Sequence, residues 1–399
     1  MIPKGALDGI RVVDLSSVIM GPFAAQLLGD MGADIVKVEP RHGDQTRMIG
    51  PRRSQGMASV FLNTNRNKRG IVLDLKEDDG RAVLDRLIER ADIVIQSNRT
   101  SAMKRLRLDY ESLKAINPKI ISCQVKGFTD SGPYGGQPAL DDIIQSLSGF
   151  AMLQSVVGGE PRYVPSAIAD KVCAVYAALA MSMAVIHKLR TGEGQNVELP
   201  MLETMVAFAT TEHIGGYVFE PPIERMGYGS IRAGSRRPYK TRDGYLAFLP
   251  YTDAHWIIFS ELIGKPELMQ DPRFKDFDSR TKAFDASFGE VAKQLALKTN
   301  AEWTELLKGR DIPFAVVNDL EDLASDPHLE SIDFWQFHNH PTEGRLRMAS
   351  IPMTLSSSPG SIRRLAPNLG EHTREVLAEL GYSNAEIDSL LAQEIAFAA

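Results

Sequence analysis

The first 150 residues alternate short apolar runs with amphipathic stretches. Ile10–Leu15, Asp34–Glu39, Ile71–Leu75, Asp92–Gln96 and Ile120–Val125 read as strands. Between them lie a helix opening at Gly21-Pro22 and running through Asp30, one over Asp78–Arg90, and one near Tyr110–Ile116. Near-continuous apolar strands separated by helices predict a parallel, doubly wound α/β sheet.

Beyond Phe150 the pattern changes. From Val172 to Ile186 the chain is apolar apart from one Ser and one Tyr. This run is shorter than a bilayer span and predicts a buried helix. Asp170 precedes it at the position of an N-cap, where free backbone N–H groups and the helix dipole favour an ionised carboxylate. The helix should end at Gly192-Glu193-Gly194. A strand, Asn196–Leu199, and a second long helix from near Leu202 follow. The segment from Arg225 to Arg242 has no acidic residue between its ends and reads as a linker and ligand-facing loop. From Asp243, a strand (Gly244–Leu249), several helices and a strand (Phe314–Val317) predict a smaller α+β domain. A helix opening at Gly370-Glu371-His372-Thr373 and another from Asn384 close the chain.

Composition narrows the function. A chain of 399 residues with 43% hydrophobic and 24% charged residues suits two globular domains. A net charge of −6 argues against nucleic-acid or membrane-surface partners, though not against local basic patches. Met1 to Ala6 carry no signal-peptide core and no apolar run reaches membrane length, so a cytoplasmic protein is expected. The two cysteines, Cys123 and Cys173, read as buried thiols. The first β-α connection, Ser16 to Pro22, has no G-x-G-x-x-G, which counts strongly against a conventional nicotinamide or flavin site. Walker A, H-E-x-x-H and G-x-S-x-G patterns are absent. His338 and His340 have no third ligand beside them, so no metal is expected.

Cations cluster next to the strand ends: Arg66-Asn67-Lys68-Arg69, Lys76, Asn98-Arg99 with Arg105, and Lys126. Any one of them is as well explained by solvation as by a ligand. Together, at the edge where open α/β sheets bind ligands, they point to a phosphorylated compound.

Ordered segments along nearly the whole chain resemble the class III coenzyme A transferases, the CaiB/BaiF superfamily that includes formyl-CoA transferase, crotonobetainyl-CoA transferase and α-methylacyl-CoA racemase. They include Leu7-Asp8-Gly9-Ile10-Arg11-Val12 with Asp14, Gly21-Pro22, Gly32 through Pro40, and Gly43-Asp44-Gln45-Thr46-Arg47. Asn67-Lys68-Arg69, Leu73-Asp74-Leu75-Lys76, Gly132-Pro133-Tyr134, Gln145 and Ser148-Gly149 continue the series. Gly192 through Val197, Asp271-Pro272-Arg273-Phe274 and Gly370-Glu371-His372-Thr373 complete it.

The resemblance implies a Rossmann-like CoA-binding large domain (1–224 with 331–399), a small domain (225–330) and an interlocked homodimer. It places Asp170 on the nucleophilic aspartate, Leu73 to Lys76, Ser97 to Arg99 (with Asn98) and Arg105 on the CoA-binding segments, and Val18 on the loop near the thioester. Arg41 and Lys126 complete the expected CoA-binding set. The implied chemistry is attack of the Asp170 carboxylate on an acyl-CoA to give a mixed anhydride, then an enzyme-bound CoA thioester that an acceptor acid resolves. Gly227, Gly229 and Gly234 would supply oxyanion donors or a hinge.

Several positions depart from the family pattern. The racemase branch has a proton-transferring His before the shared Asp-x-x-x-Gln; this chain has Leu140 before Asp141 and Gln145, which favours transferase over racemase. Ile19, Ile49 and a missing tetraglycine loop speak against formyl or oxalate specificity. Gln96 through Ser101 lack the aromatic residue that usually flanks CoA. Arg232, Arg236, Arg237 and Lys240 suggest a dicarboxylate substrate through charge pairing. The alternatives are an acyl-CoA racemase or epimerase, and a catalytically silent CoA-binding homologue.

Overall fold

The apolar runs of the N-terminal half pair into one sheet. The computed structural model describes residues 4–229 and 237–399. In it, β1 (Arg11–Leu15), β2 (Asp34–Glu39), β3 (Lys68–Leu73), β4 (Ile93–Gln96), β5 (Ile121–Lys126) and β6 (Asn196–Pro200) run parallel, in the order β3-β2-β1-β4-β5-β6. The two-residue strand Ala396–Phe397 pairs antiparallel with β3 and covers its outer edge. β3 is buried at every position, as a strand covered on both faces must be.

Helices Met20–Asp30 and Ile168–Thr191 cover one face, packing Ala24, Ala25, Leu28, Ala174, Ala177 and Met181 against Val12, Ile35, Ile93 and Ile121. On the other face, helix Asp78–Arg90 and the C-terminal helices Thr373–Glu379 and Asn384–Ala392 bury Leu84, Ile88, Leu377 and Leu390. Both cysteines are free and buried.

Two elements differ from their expected form. β3 starts at Lys68 and stops at Leu73 instead of spanning Ile71–Leu75. Its first charges are admitted because distant carboxylates neutralise them: Lys68 meets Asp14 at 2.8 Å and Arg69 meets Asp34 at 2.8 Å. The long helix has 24 residues, so it is long and apolar enough, by length and composition, to cross a membrane. Asp170, Lys171, His187 and Lys188 interrupt the apolar run but not the backbone hydrogen bonding. The helix ends only where Gly192 turns left-handed at φ 81°. In the fold its Cys173, Ala174, Ala177, Met181 and Ala184 are buried in the core, while Val175, Leu179, Met183 and Ile186 are exposed.

The chain divides into two units, 1–150 with 163–208 and 333–399, and 151–162 with 209–332. The second therefore takes in 151–162 and 209–224 besides the expected 225–330. Its antiparallel sheet of β7 (Tyr239–Lys240), β8 (Tyr245–Phe248) and β9 (Phe314–Val316) packs with helices Asp253–Leu262, Phe284–Leu295 and Asn300–Leu307. Trp256, Phe259, Leu246 and Trp303 fill the core between them.

Candidate active site

β1 and β4 are neighbours in the sheet although the chain leaves β1 for β2 on its other side. This is the topological switch point, where the loops leaving the strand ends splay apart and open a crevice. The loop after β1 holds Ser16, Ser17 and Val18; the loop after β4 holds Ser97, Asn98 and Arg99. The Ser17 N–H donates to Ser97 Oγ at 3.0 Å and joins the two.

Val18 has φ 70°, a conformation costing a β-branched residue about 1–3 kcal/mol. Buried charge holds the loop in it. Lys37 Nζ donates to Ser16 O at 2.9 Å and pairs with Asp44 at 3.0 Å, and Asp44 Oδ1 accepts the Val18 N–H at 3.3 Å. Asp14 accepts the Ser16 N–H at 2.9 Å and pairs with Lys68. Burial alone would raise Asp14, but Lys68 and Lys37 outweigh it and hold its carboxyl below the usual value. Burial brings Lys68 down to about 8 against the pull of Asp14.

Beyond the strand ends lies a cleft of about 900 Å³ whose lining includes Arg41, Leu73, Lys76, Asn98 and Arg105. A smaller cleft of about 290 Å³ is lined by Ser97, Asn98, Arg99, Lys126 and Leu140, so Asn98 belongs to both. The expected CoA-binding residues other than Val18 thus line one cleft or the other. Lys76, Arg99 and Arg105 are exposed and form no ion pair among the described residues. Arg41 is held bidentately by Glu394, with Nη2 at 2.9 Å, and Lys126 is shared by Asp130 at 2.9 Å and Glu198 at 2.8 Å. Leu73 is buried and contributes only apolar wall.

The expected basic surface does not include Arg66, Lys68 or Arg69. They stand at the start of β3, the opposite end from the cleft, and are consumed by Asp30, Asp14 and Asp34. Gly227 is not a free oxyanion donor either, because its N–H donates to His213 O at 2.7 Å. Gly234, Arg232 and Arg236 lie outside the described residues.

Asp170 differs from its expected state in two ways. Ala167 is the N-cap and Asp170 lies inside the first turn, so it does not cap the helix. Its N–H donates to Asp141 Oδ1 at 3.0 Å. Burial, reinforced by the like charge of Asp141, pushes its carboxyl up to about 7 instead of keeping it ionised. A helix dipole contributes about 1 kcal/mol at a terminus and is outweighed by desolvation beside a second carboxylate.

Asp141 begins the helix Asp141–Leu147, with Leu140 as its N-cap. One turn on, fully buried Gln145 donates to Asp141 Oδ2 at 2.5 Å and accepts the Val164 N–H at 2.8 Å. That amide ties the loop entering the long helix to the Asp141 helix and fixes where Asp170 stands. Leu140 connects the parts: it is 68% exposed, lines the smaller cleft and is bonded to Asp141. The positioning roles of Asp141 and Gln145 were not part of the expected site, although their i, i+4 spacing is visible in sequence. Glu394 and Phe397, which line the large cleft, gave no local signal.

The family model described as CoA-transferase family III matches residues 7–373. A succinate–glutarate CoA-transferase of Agrobacterium fabrum is 32% identical over 391 residues, covering 94% of this chain and 96% of its own. A succinyl-CoA:mesaconate CoA-transferase of Haloarcula hispanica is 32% identical over 393 residues, covering 94% and 97%. Among solved structures, a CaiB/BaiF family protein from Brucella suis superposes with a TM-score of 0.81 at 29% identity, covering 94% of this chain and all of its own.

Proposed function

The chain belongs to CoA-transferase family III, and from that premise we propose that it moves CoA from an acyl-CoA to a dicarboxylic acid through a covalent intermediate on Asp170. The observation that carries this reading is the run of clefts from Arg41, Lys76 and Arg105 through Asn98 to Leu140, next to the carboxylate that contacts Asp170. The uncommitted cations Lys76, Arg99 and Arg105 suit the phosphates of CoA. The relatives named above act on succinate, glutarate or mesaconate, acids with two carboxyl groups.

The steps balance without a co-reactant. The Asp170 carboxylate attacks the thioester carbonyl, a C–O bond forms, the C–S bond breaks and CoA leaves as thiolate. The thiolate attacks the aspartyl carbonyl of the anhydride and releases the donor acid. The acceptor carboxylate attacks the resulting aspartyl thioester, and the expelled thiolate takes the acceptor acyl group and frees Asp170. A carboxylate beside Asp141 and away from water is unstable as an anion, and acylation removes that charge. Site and reaction favour the same direction.

The interlocked homodimer belongs to the same proposal. The exposed Val175, Leu179, Met183 and Ile186 form an apolar stripe at helical spacing, the kind of surface a second copy would cover.

The decisive experiment incubates the protein with succinyl-CoA and hydroxylamine and digests it for mass spectrometry. A hydroxamate on Asp170 is expected. Exchange of CoA between succinate and glutarate at the wild-type rate by the Asp170→Asn variant would overturn the proposal.

A further inference from the structure

The large unit holds a further cavity at the other end of the sheet from the two clefts. It measures about 560 Å³, in the range of small-molecule sites, and is walled by helices Asp78–Arg90 and Thr373–Glu379. Its sheet residues stand at the strand starts: Arg11 opens β1, Asp34 opens β2 and Arg69 is the second residue of β3. These strands run parallel, so the loops that carry Ser17, Lys76 and Asn98 leave from the opposite ends. The cavity shares no lining residue with either cleft.

Four arginines line it, two of them committed and two not. Arg69 holds Asp34 at 2.8 Å, Glu375 at 3.1 Å and Glu379 at 2.7 Å, the carboxylates of the same wall. Arg90 donates through Nη1 to Glu379 O and through Nη2 to Leu380 O at 3.3 Å, at the end of the neighbouring helix. Arg11 and Arg364 differ. Their backbones are fixed, since the Arg11 N–H donates to Asp92 Oδ2 at 2.9 Å and the Arg364 N–H to Asn67 Oδ1 at 3.1 Å. Both residues are exposed, and neither guanidinium forms an ion pair or hydrogen bond among the described residues.

We propose that this cavity binds a phosphate monoester, its phosphate shared by Arg11 and Arg364 and its organic group lying against Val36, Leu87 and Leu380, the apolar part of the lining. A carboxylate has two oxygens and is satisfied by one guanidinium fork. A phosphate presents three, which suits two forks carried by separate segments of the chain. The three wall carboxylates do not cancel this attraction, because all of them already face Arg69 and solvent reaches about half of each. The cavity is larger than inorganic phosphate alone would fill, which leaves room for the ester group.

The test is calorimetric titration of the full chain with phenyl phosphate. It is run on wild type and on Lys76→Gln combined with Arg105→Gln, which strips the large cleft of two cations. Both should give saturable heat in the millimolar range or tighter. Adding Arg11→Gln and Arg364→Gln to that background should weaken phenyl phosphate about tenfold or more, the loss of charge-assisted hydrogen bonds from two guanidinium groups. Adding Arg374→Gln instead should change nothing, since that cation lies outside the cavity and pairs with Asp388 at 2.8 Å. Inorganic phosphate should bind more weakly than the ester. Thermal melts establish that the variants fold. Loss of binding with Lys76 and Arg105, unchanged affinity without Arg11 and Arg364, or equal affinity for inorganic phosphate would overturn the assignment. The readout needs no turnover, so it stands whether or not Asp170 carries an acyl group.

Discussion

At the scale of single residues, the Asp141–Asp170 pair governs pH dependence. The unfolded chain ionises Asp170 near 3.8, and the native chain holds the proton to about 7. Between those values the native state binds more protons, so this group makes the protein less stable as pH rises from about 4 to 7. Asp170→Asn should therefore melt at a higher temperature than wild type at pH 8 and lose that advantage near pH 4, as a pair of melting series would read. For the reaction the sign is opposite. The attacking form is the anion, so kcat/KM should climb as pH rises through about 7. Asp141→Asn keeps an acceptor for the Asp170 N–H but removes the neighbouring charge, and should move that midpoint downward. It should not reach the ordinary carboxylate value, because burial, the larger cause, remains. The presence of Asp170 at the start of an apolar run was legible in the sequence. Its protonation was not, because the burial that chiefly causes it, and the approach of Asp141 from 29 positions away, arise only in the fold.

At the scale of elements, the sequence pattern located the parallel strands and most helices of the large unit, and it missed where opposing charges meet. Lys68 and Arg69 looked like ligand-binding cations at a strand end, and nothing local revealed that Asp14 and Asp34, on neighbouring strands, neutralise them. The long helix was legible as an apolar run, but its ends were set by hydrogen bonding and by Gly192. A Cβ at that glycine would meet nothing within 4 Å, so Gly192→Ala costs only the left-handed backbone. A loss of about 1 kcal/mol is expected in urea unfolding. The clefts were legible in part: motif spacing marked Lys76, Asn98 and Arg105, whereas Glu394 and Phe397 enter through tertiary contact alone.

At the scale of the whole molecule, the exposed stripe of the long helix is where the proposed homodimer can be tested. Leu179→Glu combined with Met183→Glu places two charges on it without touching the buried alanine face. Light scattering should find wild type as a dimer and the double variant as a monomer; a monomeric wild type would remove the homodimer from the proposal. The clasp between Arg41 and Glu394 has a consequence of a different kind. Two exposed side chains from opposite ends of the chain already occupy each other at the mouth of the large cleft, so an incoming phosphate has to compete with a resident carboxylate for the same guanidinium. Neutralising that rival, as Glu394→Gln does, should tighten CoA binding, and the improvement should shrink as salt is added and screens both contenders alike.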